Sequence, residues 1–317
     1  MSVHLDRRAL AGGLLSLGAA ASLAPPAAAQ NEAGLIVRRE SRYNTIYVRR
    51  ERGGLISMQF GINERRFTES LYNPADPREL PVEYTRYMTV ALLYPQRLTN
   101  VLEIGLGGGR TANYLHLHMP QLTITSVELD PEVIALAQRY FGVRPNARFR
   151  VVEADGRMYL RRSTARYDLI MVDAYRGTFV PFHLLTREFF ETVKSRLSPG
   201  GAVAQNIEPC TMLYESAINT LKAVFDHVDV YDAGGNVVAV AYDGEIPTQA
   251  QFRRRARQLQ AAHNFRHPIE PMIAVRRIAN RLRGASVLTD DFAPVESLNA
   301  TERHNARQPN ARGTGRC

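Results

Sequence analysis

Two features that mark large classes of protein are missing from this sequence of 317 residues. It has only two cysteines, Cys210 and Cys317, and their positions provide neither a disulfide framework nor the spacing of a metal site. No apolar run after residue 30 is long enough to cross a bilayer. We therefore expect a globular protein with no stable membrane span and no metal, and its length allows about two domains.

The sequence carries an excess of positive charge, with a formal net charge of +9 at neutral pH. A balance of this kind invites a nucleic-acid interpretation. The arginines, however, concentrate in a polar tail and on a predicted surface helix, and no basic stripe is interleaved with aromatic residues. We therefore expect a small-molecule substrate rather than a nucleic-acid partner.

Residues 1–30 have the composition of a targeting segment rather than of a folded element. Arg7-Arg8 precedes a mild apolar run over 9–20, and Ala27-Ala28-Ala29 provides a small-residue cleavage site. The paired arginines favour the twin-arginine export route. We expect a signal peptide and an exported, periplasmic protein. The alternative is an alanine-rich disordered leader, or a misplaced start codon, on a cytoplasmic protein.

Residues 31–80 predict a small β domain. Residues 42–48 alternate in hydrophobicity with period two, and a second stretch over 55–60 follows the Gly53-Gly54 turn. A helix is then predicted from Glu83 to Tyr94. This helix delivers the chain to the strand from which the rest of the fold is predicted.

The central motif is a glycine-rich loop between a strand and a helix. Residues 101–104 predict a buried strand, the glycines of 105–109 allow a tight turn, and a helix begins near Thr111. The free N–H groups of that helix offer a place for a ligand carboxylate or phosphate. A second strand over 122–128 ends in Glu128, whose carboxylate suits the hydroxyls of a ribose. The motif indicates a nucleoside-binding α/β domain, and a tight turn without a ligand is the alternative.

Strands and helices continue to alternate, which predicts a mostly parallel sheet with an antiparallel end. Ligands bind outside the carboxyl ends of such strands, and the polar residues at those ends are Glu128, Asp155, Asp173 and Asn206. Three carboxylates at successive strand ends exceed what a stable core needs. The further predicted elements are strands over 149–153, 167–172, 202–206, 227–231 and 237–241, helices over 131–141, 186–197 and 215–225, a basic helical region over 248–283, and a disordered basic tail over 299–317.

Several of these segments resemble motifs of the spermidine synthase, or polyamine aminopropyltransferase, family. The similarity runs over most of residues 40–242 and implies a Rossmann-like methyltransferase fold over 81–298, preceded by the small β domain. Asn44 stands where the family has a glutamine. The segments that carry the resemblance are Ser41-Arg42-Tyr43-Asn44-Thr45-Ile46, the glycine loop 104–109, 127–131, Asp155-Gly156 and 167–173, and residues 288–296 are similar to a divergent bacterial branch.

The resemblance implies a transferase that moves an aminopropyl group from decarboxylated S-adenosylmethionine to a diamine such as putrescine. It assigns Asp173 as the base that removes a proton from the attacking amine, with Tyr84 orienting that amine. An ordinary strand-end acid is the alternative for Asp173. Members commonly dimerise, and the nucleoside is a co-substrate rather than a tightly bound cofactor. The donor-binding residues that the resemblance implies are Asn44, Gly105, Gly107, Gly109, Glu128, Asp155 and Gly156.

Three positions that are acidic in the family carry arginine here, namely Arg86, Arg110 and Arg176. If these side chains line the substrate pocket, they repel a dication and favour an anionic acceptor or ordinary S-adenosylmethionine. Two other functions therefore stay open: a methyltransferase-like enzyme with a non-diamine substrate, and a non-catalytic nucleoside-binding protein on the same fold. Pairing of the arginines with nearby acids such as Glu103 is the structural alternative.

Overall fold

The computed structural model of the chain describes residues 33–62, 65–175, 180–209, 211 and 213–292. Within these residues, no helix combines the length and the hydropathy that crossing a bilayer requires. The sequence features that lie outside the described residues are the predicted signal peptide, the predicted tail over 299–317, Arg176 and both cysteines.

Strands and helices alternate along the described chain, which confirms the predicted α/β class. Four strands come first, a short helix follows, and each later parallel strand is followed by a helix. The strands are β1 (Gly34–Glu40), β2 (Thr45–Arg50), β3 (Ile56–Ile62), β4 (Arg65–Tyr72), β5 (Asn100–Ile104), β6 (Thr123–Glu128), β7 (Phe149–Glu153), β8 (Tyr167–Val172), β9 (Leu197–Ile207), β10 (His227–Asp232), β11 (Val237–Tyr242) and β12 (Arg277–Ile278). The helices are α1 (Glu83–Met88), α2 (Arg110–His118), α3 (Pro131–Tyr140), α4 (Gly156–Arg162), α5 (Arg187–Arg196), α6 (Tyr214–Val224) and α7 (Gln249–His263).

The N-terminal strands form an antiparallel sheet in the order β1-β2-β3-β4, which confirms the predicted β-unit. The period-two pattern of β2 buries Ile46 and Val48 on one face of this sheet. That face packs against apolar side chains of α3, including Val133 and Leu136. The small sheet therefore lies directly over the helix that follows β6.

The second described sheet has the order β12-β10-β11-β9-β8-β5-β6-β7. Its neighbours from β9 to β7 are parallel, while β9, β11, β10 and β12 pair antiparallel, as the sequence predicts. Every residue of β8 is buried, which is the pattern of a parallel strand covered by helices on both faces. The carboxyl ends of β5, β6 and β8 therefore meet at one edge of the sheet.

Two regions depart from the predicted elements. Helix α4 was not predicted, and it begins where the Asp155 carboxylate accepts a hydrogen bond from the backbone N–H of Met158 at 2.8 Å. The prediction that residues 248–283 are helical is wrong beyond His263. Asn264 ends α7 in the left-handed conformation, with φ of +47°, and the prolines that follow allow only a short 3-10 turn before β12.

Candidate active site

A cavity of about 490 Å³ lies where the carboxyl ends of β5, β6 and β8 face the N-terminal sheet. This volume is in the range of small-molecule sites. The predicted residues Glu128, Asp155 and Asp173 all line it, so the carboxylates of three strand ends share one cleft. The other predicted residues that line it are Asn44, Tyr84, Gly105, Gly107 and Gly156.

The glycine loop closes the cavity floor by a close approach that only glycine permits. Gly105 has a φ of +90°, and a Cβ there would stand 2.3 Å from the backbone oxygen of Asp173. Gly109, with φ of +62°, is the N-terminal cap of α2, and a Cβ there would stand 2.5 Å from Val143. The loop therefore brings the end of β5 against the end of β8, beside the predicted catalytic carboxylate.

The amides of this loop already donate to oxygens of the protein. Glu128 Oε2 accepts hydrogen bonds from the N–H groups of Leu106 at 2.9 Å and Gly107 at 3.3 Å. The hydroxyl of Ser70, on β4, accepts from the N–H of Gly108 at 2.8 Å. These loop donors are therefore used within the protein, and an anion at the first N–H groups of α2 stays a prediction.

Asp173 is held at the end of β8 by two side chains. Its Oδ1 accepts a hydrogen bond from Asn206 Nδ2 at 2.8 Å, and the hydroxyl of Tyr84 donates a second bond to the carboxylate. Asn206 Oδ1 accepts in turn from Asn236 Nδ2 at 3.1 Å. Burial raises the pKa of Asp173 to about 6, although both hydrogen bonds act against this shift. A carboxylate with this pKa is ionised at neutral pH and is a stronger base than an exposed aspartate.

Asp155 has a hydrogen-bonding partner at the cavity in His183. His183 Nε2 lies 3.0 Å from Asp155 Oδ2, and this hydrogen bond lowers the pKa of the carboxylate. His183 also lines the cavity. The neighbouring Gly156 serves packing, since a Cβ there would stand 2.3 Å from Ile104 Cγ2. Asp155 therefore reaches the cavity as an ionised cap of α4.

Asn44 brings an amide from the N-terminal sheet to the same cavity. Its Oδ1 is buried and makes no hydrogen bond with any other described residue. A buried carboxamide oxygen costs free energy unless it is given a donor. A ligand that brings a hydroxyl or amino group to this position supplies one.

Comparisons with known proteins identify the family of the chain. Residues 83–234 match the spermine/spermidine synthase domain. The chain is 32% identical to the polyamine aminopropyltransferase of Vibrio vulnificus over 243 residues, which is 74% of this chain and 81% of that protein. The chain belongs to the spermine/spermidine synthase family. The relatives from Vibrio vulnificus and Chromobacterium violaceum, each 32% identical, are named polyamine aminopropyltransferase, and the chain is an enzyme, a transferase of the aminopropyltransferase type.

Solved structures show the same fold at lower sequence identity. A probable spermidine synthase from Corynebacterium glutamicum superposes with a TM-score of 0.65 and 22% identity, over 81% of this chain and 97% of that one. A spermidine synthase in complex with the transition-state analogue AdoDATO superposes with a TM-score of 0.62 and 21% identity, over 76% of this chain and 84% of that one. Both confirm the predicted methyltransferase-like α/β fold.

Two of the arginines that replace family acids point away from the cavity. Arg110 is buried, and its guanidinium donates to the backbone oxygens of Phe141 at 2.9 Å and Pro77 at 2.7 Å. Arg86 donates to the backbone oxygen of Leu80 at 2.7 Å. Neither lines the cavity, so their prediction as substrate-pocket residues is not supported by the geometry. Arg110 does not pair with Glu103 either, because that carboxylate bonds Ser126 and the N–H of Ala112.

The structure also brings Tyr175 and Glu69 to the cavity, which sequence reasoning missed. Tyr175 follows Asp173 by two residues and lines the same wall. Glu69, on β4, reaches the cavity from the N-terminal sheet. The sequence signal for Glu69 is weak, because it stands in a strand whose alternation alone does not predict which side chains face a ligand.

No group of three or more His, Cys, Asp or Glu side chains that would hold a metal ion is found among the described residues. His116 and His118, which are two residues apart, bond different partners. His116 Nε2 lies 3.1 Å from the amide of Asn146, and His118 Nδ1 lies 3.0 Å from the backbone oxygen of His263. Both histidines therefore have structural contacts on separate sides of α2.

Proposed function

We propose that this cavity binds decarboxylated S-adenosylmethionine and transfers its aminopropyl group to a primary amine. The observation that carries the proposal is the position of Asp173, hydrogen-bonded to Tyr84 in the same cleft as Glu128 and Asp155. A base beside the reacting nitrogen and acids that fit a nucleoside are the two requirements of this transfer. The donor analogue in the related spermidine synthase complex supports an S-adenosylmethionine-derived co-substrate.

The chemical step follows from these groups. The acceptor amine loses a proton to the Asp173 carboxylate, and its lone pair attacks the aminopropyl carbon bound to the sulfonium. A nitrogen–carbon bond forms as the carbon–sulfur bond breaks, and methylthioadenosine leaves with the electron pair on sulfur. Tyr84 orients Asp173 and the amine through its hydroxyl. Holding donor and acceptor in line within one cavity supplies a large part of the rate.

The nucleoside end of the donor is expected to lie over the glycine loop. Glu128 uses its oxygens to bond the N–H groups of Leu106, Gly107 and Asp130, yet a carboxylate has about four acceptor positions. A ribose hydroxyl donates to the remaining position. Asp155 and the carboxamide oxygen of Asn44 accept further hydrogen bonds from the adenosine.

The three arginines at positions that are acidic in the family would repel a cationic acceptor if they lined the cavity, but two of them do not line it. Arg86 and Arg110 bond backbone oxygens outside the cavity lining, while the carboxylates of Asp173 and Glu69 line it. An amine that enters as a cation is attracted by this lining. The positive charges of Arg86 and Arg110 therefore give no reason to prefer an anionic acceptor.

The test is product analysis with purified protein. Decarboxylated S-adenosylmethionine and putrescine are supplied, and mass spectrometry measures spermidine and methylthioadenosine in equal amounts. S-adenosylmethionine replaces the donor in a parallel reaction. Aminopropylated product from the first donor supports the proposal. A methylated acceptor from the second donor, or release of no product from either, contradicts it.

We also propose that residues 1–30 export the protein. The support is the sequence pattern of paired arginines, apolar run and Ala-Ala-Ala site. Residues 1–30 are fused to a reporter protein that must fold in the cytoplasm before it is exported. The location of the reporter is measured with Arg7-Arg8 intact and with both changed to lysine. Periplasmic reporter from the intact leader alone supports twin-arginine export, and equal cytoplasmic retention of both contradicts it.

A further inference from the structure

Residues 288–290, which the proposed reaction does not use, are anchored at the start of α5. Leu288 is buried, and its backbone oxygen accepts a hydrogen bond from the N–H of Arg187 at 2.8 Å. The N–H of Asp290 donates to Glu188 Oε2 at 3.0 Å. These bonds fix the position from which the Asp290 side chain extends.

The carboxylate of Asp290 forms a two-point ion pair with Arg157 on α4. Arg157 Nη1 donates to Asp290 Oδ1 at 2.8 Å, and its Nη2 donates to Oδ2. The Arg157 side chain is only 15% exposed, and its charge holds the pKa of Asp290 below the usual value. An exposed ion pair contributes little to stability, but a bidentate pair fixes the orientation of the guanidinium.

Arg157 connects this ion pair to one wall of the cavity. Its Nη1 also donates to the backbone oxygen of His183 at 3.2 Å, within the 3-10 turn Phe182–Leu184. Every residue of this turn lines the cavity, but neither Arg157 nor Asp290 does. The two residues therefore act on the cavity only through the turn that they support.

His183 holds the carboxylate of Asp155. Its Nε2 lies 3.0 Å from Asp155 Oδ2, and the imidazole must be the donor because an ionised carboxylate only accepts. Asp155 Oδ1 accepts from the N–H of Met158 at 2.8 Å, so both oxygens are fixed by the protein. Each oxygen keeps a further acceptor position for a ligand that donates.

These contacts form one chain from the surface to the cavity, in the order Asp290, Arg157, His183 and Asp155. We propose that Asp290 and Arg157 are positioning residues, which hold His183 so that Asp155 accepts a hydrogen bond from the 6-amino group of a purine nucleoside. A site that only accepts rejects a 6-oxo purine, which brings an oxygen in place of the donor. The proposal rests on the proposed function for the nucleoside in this cavity, but not on the transfer step.

The test compares Asp290→Ala with Asp291→Ala, which removes the neighbouring exposed acid. Calorimetry measures the affinity for methylthioadenosine and for methylthioinosine, which carries an oxygen in place of the 6-amino group. Both substitutions are also made in a His183→Ala background. Thermal unfolding confirms that each variant is folded at the temperature of the titrations.

Wild-type protein is expected to prefer methylthioadenosine. Asp290→Ala weakens methylthioadenosine about threefold or more and methylthioinosine less, because the carboxylate that recognises the amino group is no longer held. In the His183→Ala background, Asp290→Ala causes no further loss, since both residues act through the same bond. Asp290→Glu, which keeps the charge, recovers part of the affinity. A merely structural role would weaken both nucleosides equally.

The proposal is overturned if Asp290→Ala prefers methylthioadenosine as strongly as Asp291→Ala does. A loss that adds in full to that of His183→Ala also overturns it, because Asp290 would then act elsewhere. So does wild-type protein that binds the two nucleosides equally, or binds neither. Failure of the transfer is a separate result: protein that shows the Asp290 effect, yet forms no aminopropylated product, supports the positioning role and contradicts the proposed reaction.

Discussion

Asn206 Nδ2 donates a hydrogen bond of 2.8 Å to Asp173 Oδ1, and this bond joins the ends of two neighbouring parallel strands. The carboxamide holds one oxygen of the carboxylate, to which the hydroxyl of Tyr84 also donates a hydrogen bond. It also stabilises the ionised form of Asp173. The base proposed for the reaction is therefore tuned by a residue that is held in turn by Asn236.

The first prediction concerns the pH dependence of wild-type turnover. Because transfer needs the ionised form of Asp173, whose pKa is about 6, kcat/KM falls as the pH drops through this value. Asn206→Ala removes a hydrogen bond that lowers the pKa, so the acidic limb of the profile moves to higher pH. Asn236→Ala removes the bond to Asn206 and leaves the bond from Asn206 to Asp173, so it moves the limb less. An unmoved limb in Asn206→Ala would remove this residue from the account.

The second prediction separates the two readings of Arg110. Arg110→Met leaves buried backbone oxygens of Phe141 and Pro77 without their charged donor, and destabilises the fold by about 2–4 kcal/mol in urea unfolding. The ranking of diamine and anionic acceptors stays the same, because the guanidinium lies outside the cavity lining. Arg253→Met, on the exposed face of α7, is the control for loss of charge. A changed acceptor ranking would return Arg110 to the substrate pocket.

The third prediction concerns the close approach of the glycine loop to β8. Gly105→Ala combines a φ of +90° with a Cβ that meets the Asp173 backbone oxygen at 2.3 Å. Gly244→Ala has a similar φ of +92° and nothing within 4 Å of its Cβ. Gly105→Ala is therefore expected to lower the free energy of unfolding by at least about 2 kcal/mol more than Gly244→Ala does. Gly105→Ala is also expected to weaken the binding of methylthioadenosine. Equal losses of unfolding free energy in the two variants would mean that the positive φ alone, and not the close approach to Asp173, requires glycine at position 105.

The site residues that could be predicted from the sequence are those whose positions follow from the local strand pattern together with the topology of the sheet. Glu128, Asp155 and Asp173 each follow a recognisable strand, and parallel strands place their carboxyl ends at one edge. Side-chain direction was not predictable in the same way. Arg110 occupies a position that is acidic in the family, yet it turns to backbone oxygens supplied by residues 77–79 and 141, which are distant in sequence.

Glu69 shows a second limit of sequence reasoning. Its direction depends on a bulge, and a bulge is a property of the pairing between β3 and β4 rather than of either strand alone. The helical prediction beyond His263 failed for a related reason. The prediction extended the helix past His263 because the segment stays basic. In the structure, the left-handed conformation of Asn264 and the prolines after it end the helix.

The central claim, that Asp173 is the base of an aminopropyl transfer, is tested most directly with Asp173→Asn. The asparagine keeps an oxygen for the Asn206 bond, so the fold and the cavity are expected to remain. Single-turnover rates with decarboxylated S-adenosylmethionine and putrescine are measured beside methylthioadenosine affinity. The account predicts a rate loss of about a hundredfold or more with the affinity retained. Wild-type rates in Asp173→Asn would contradict it.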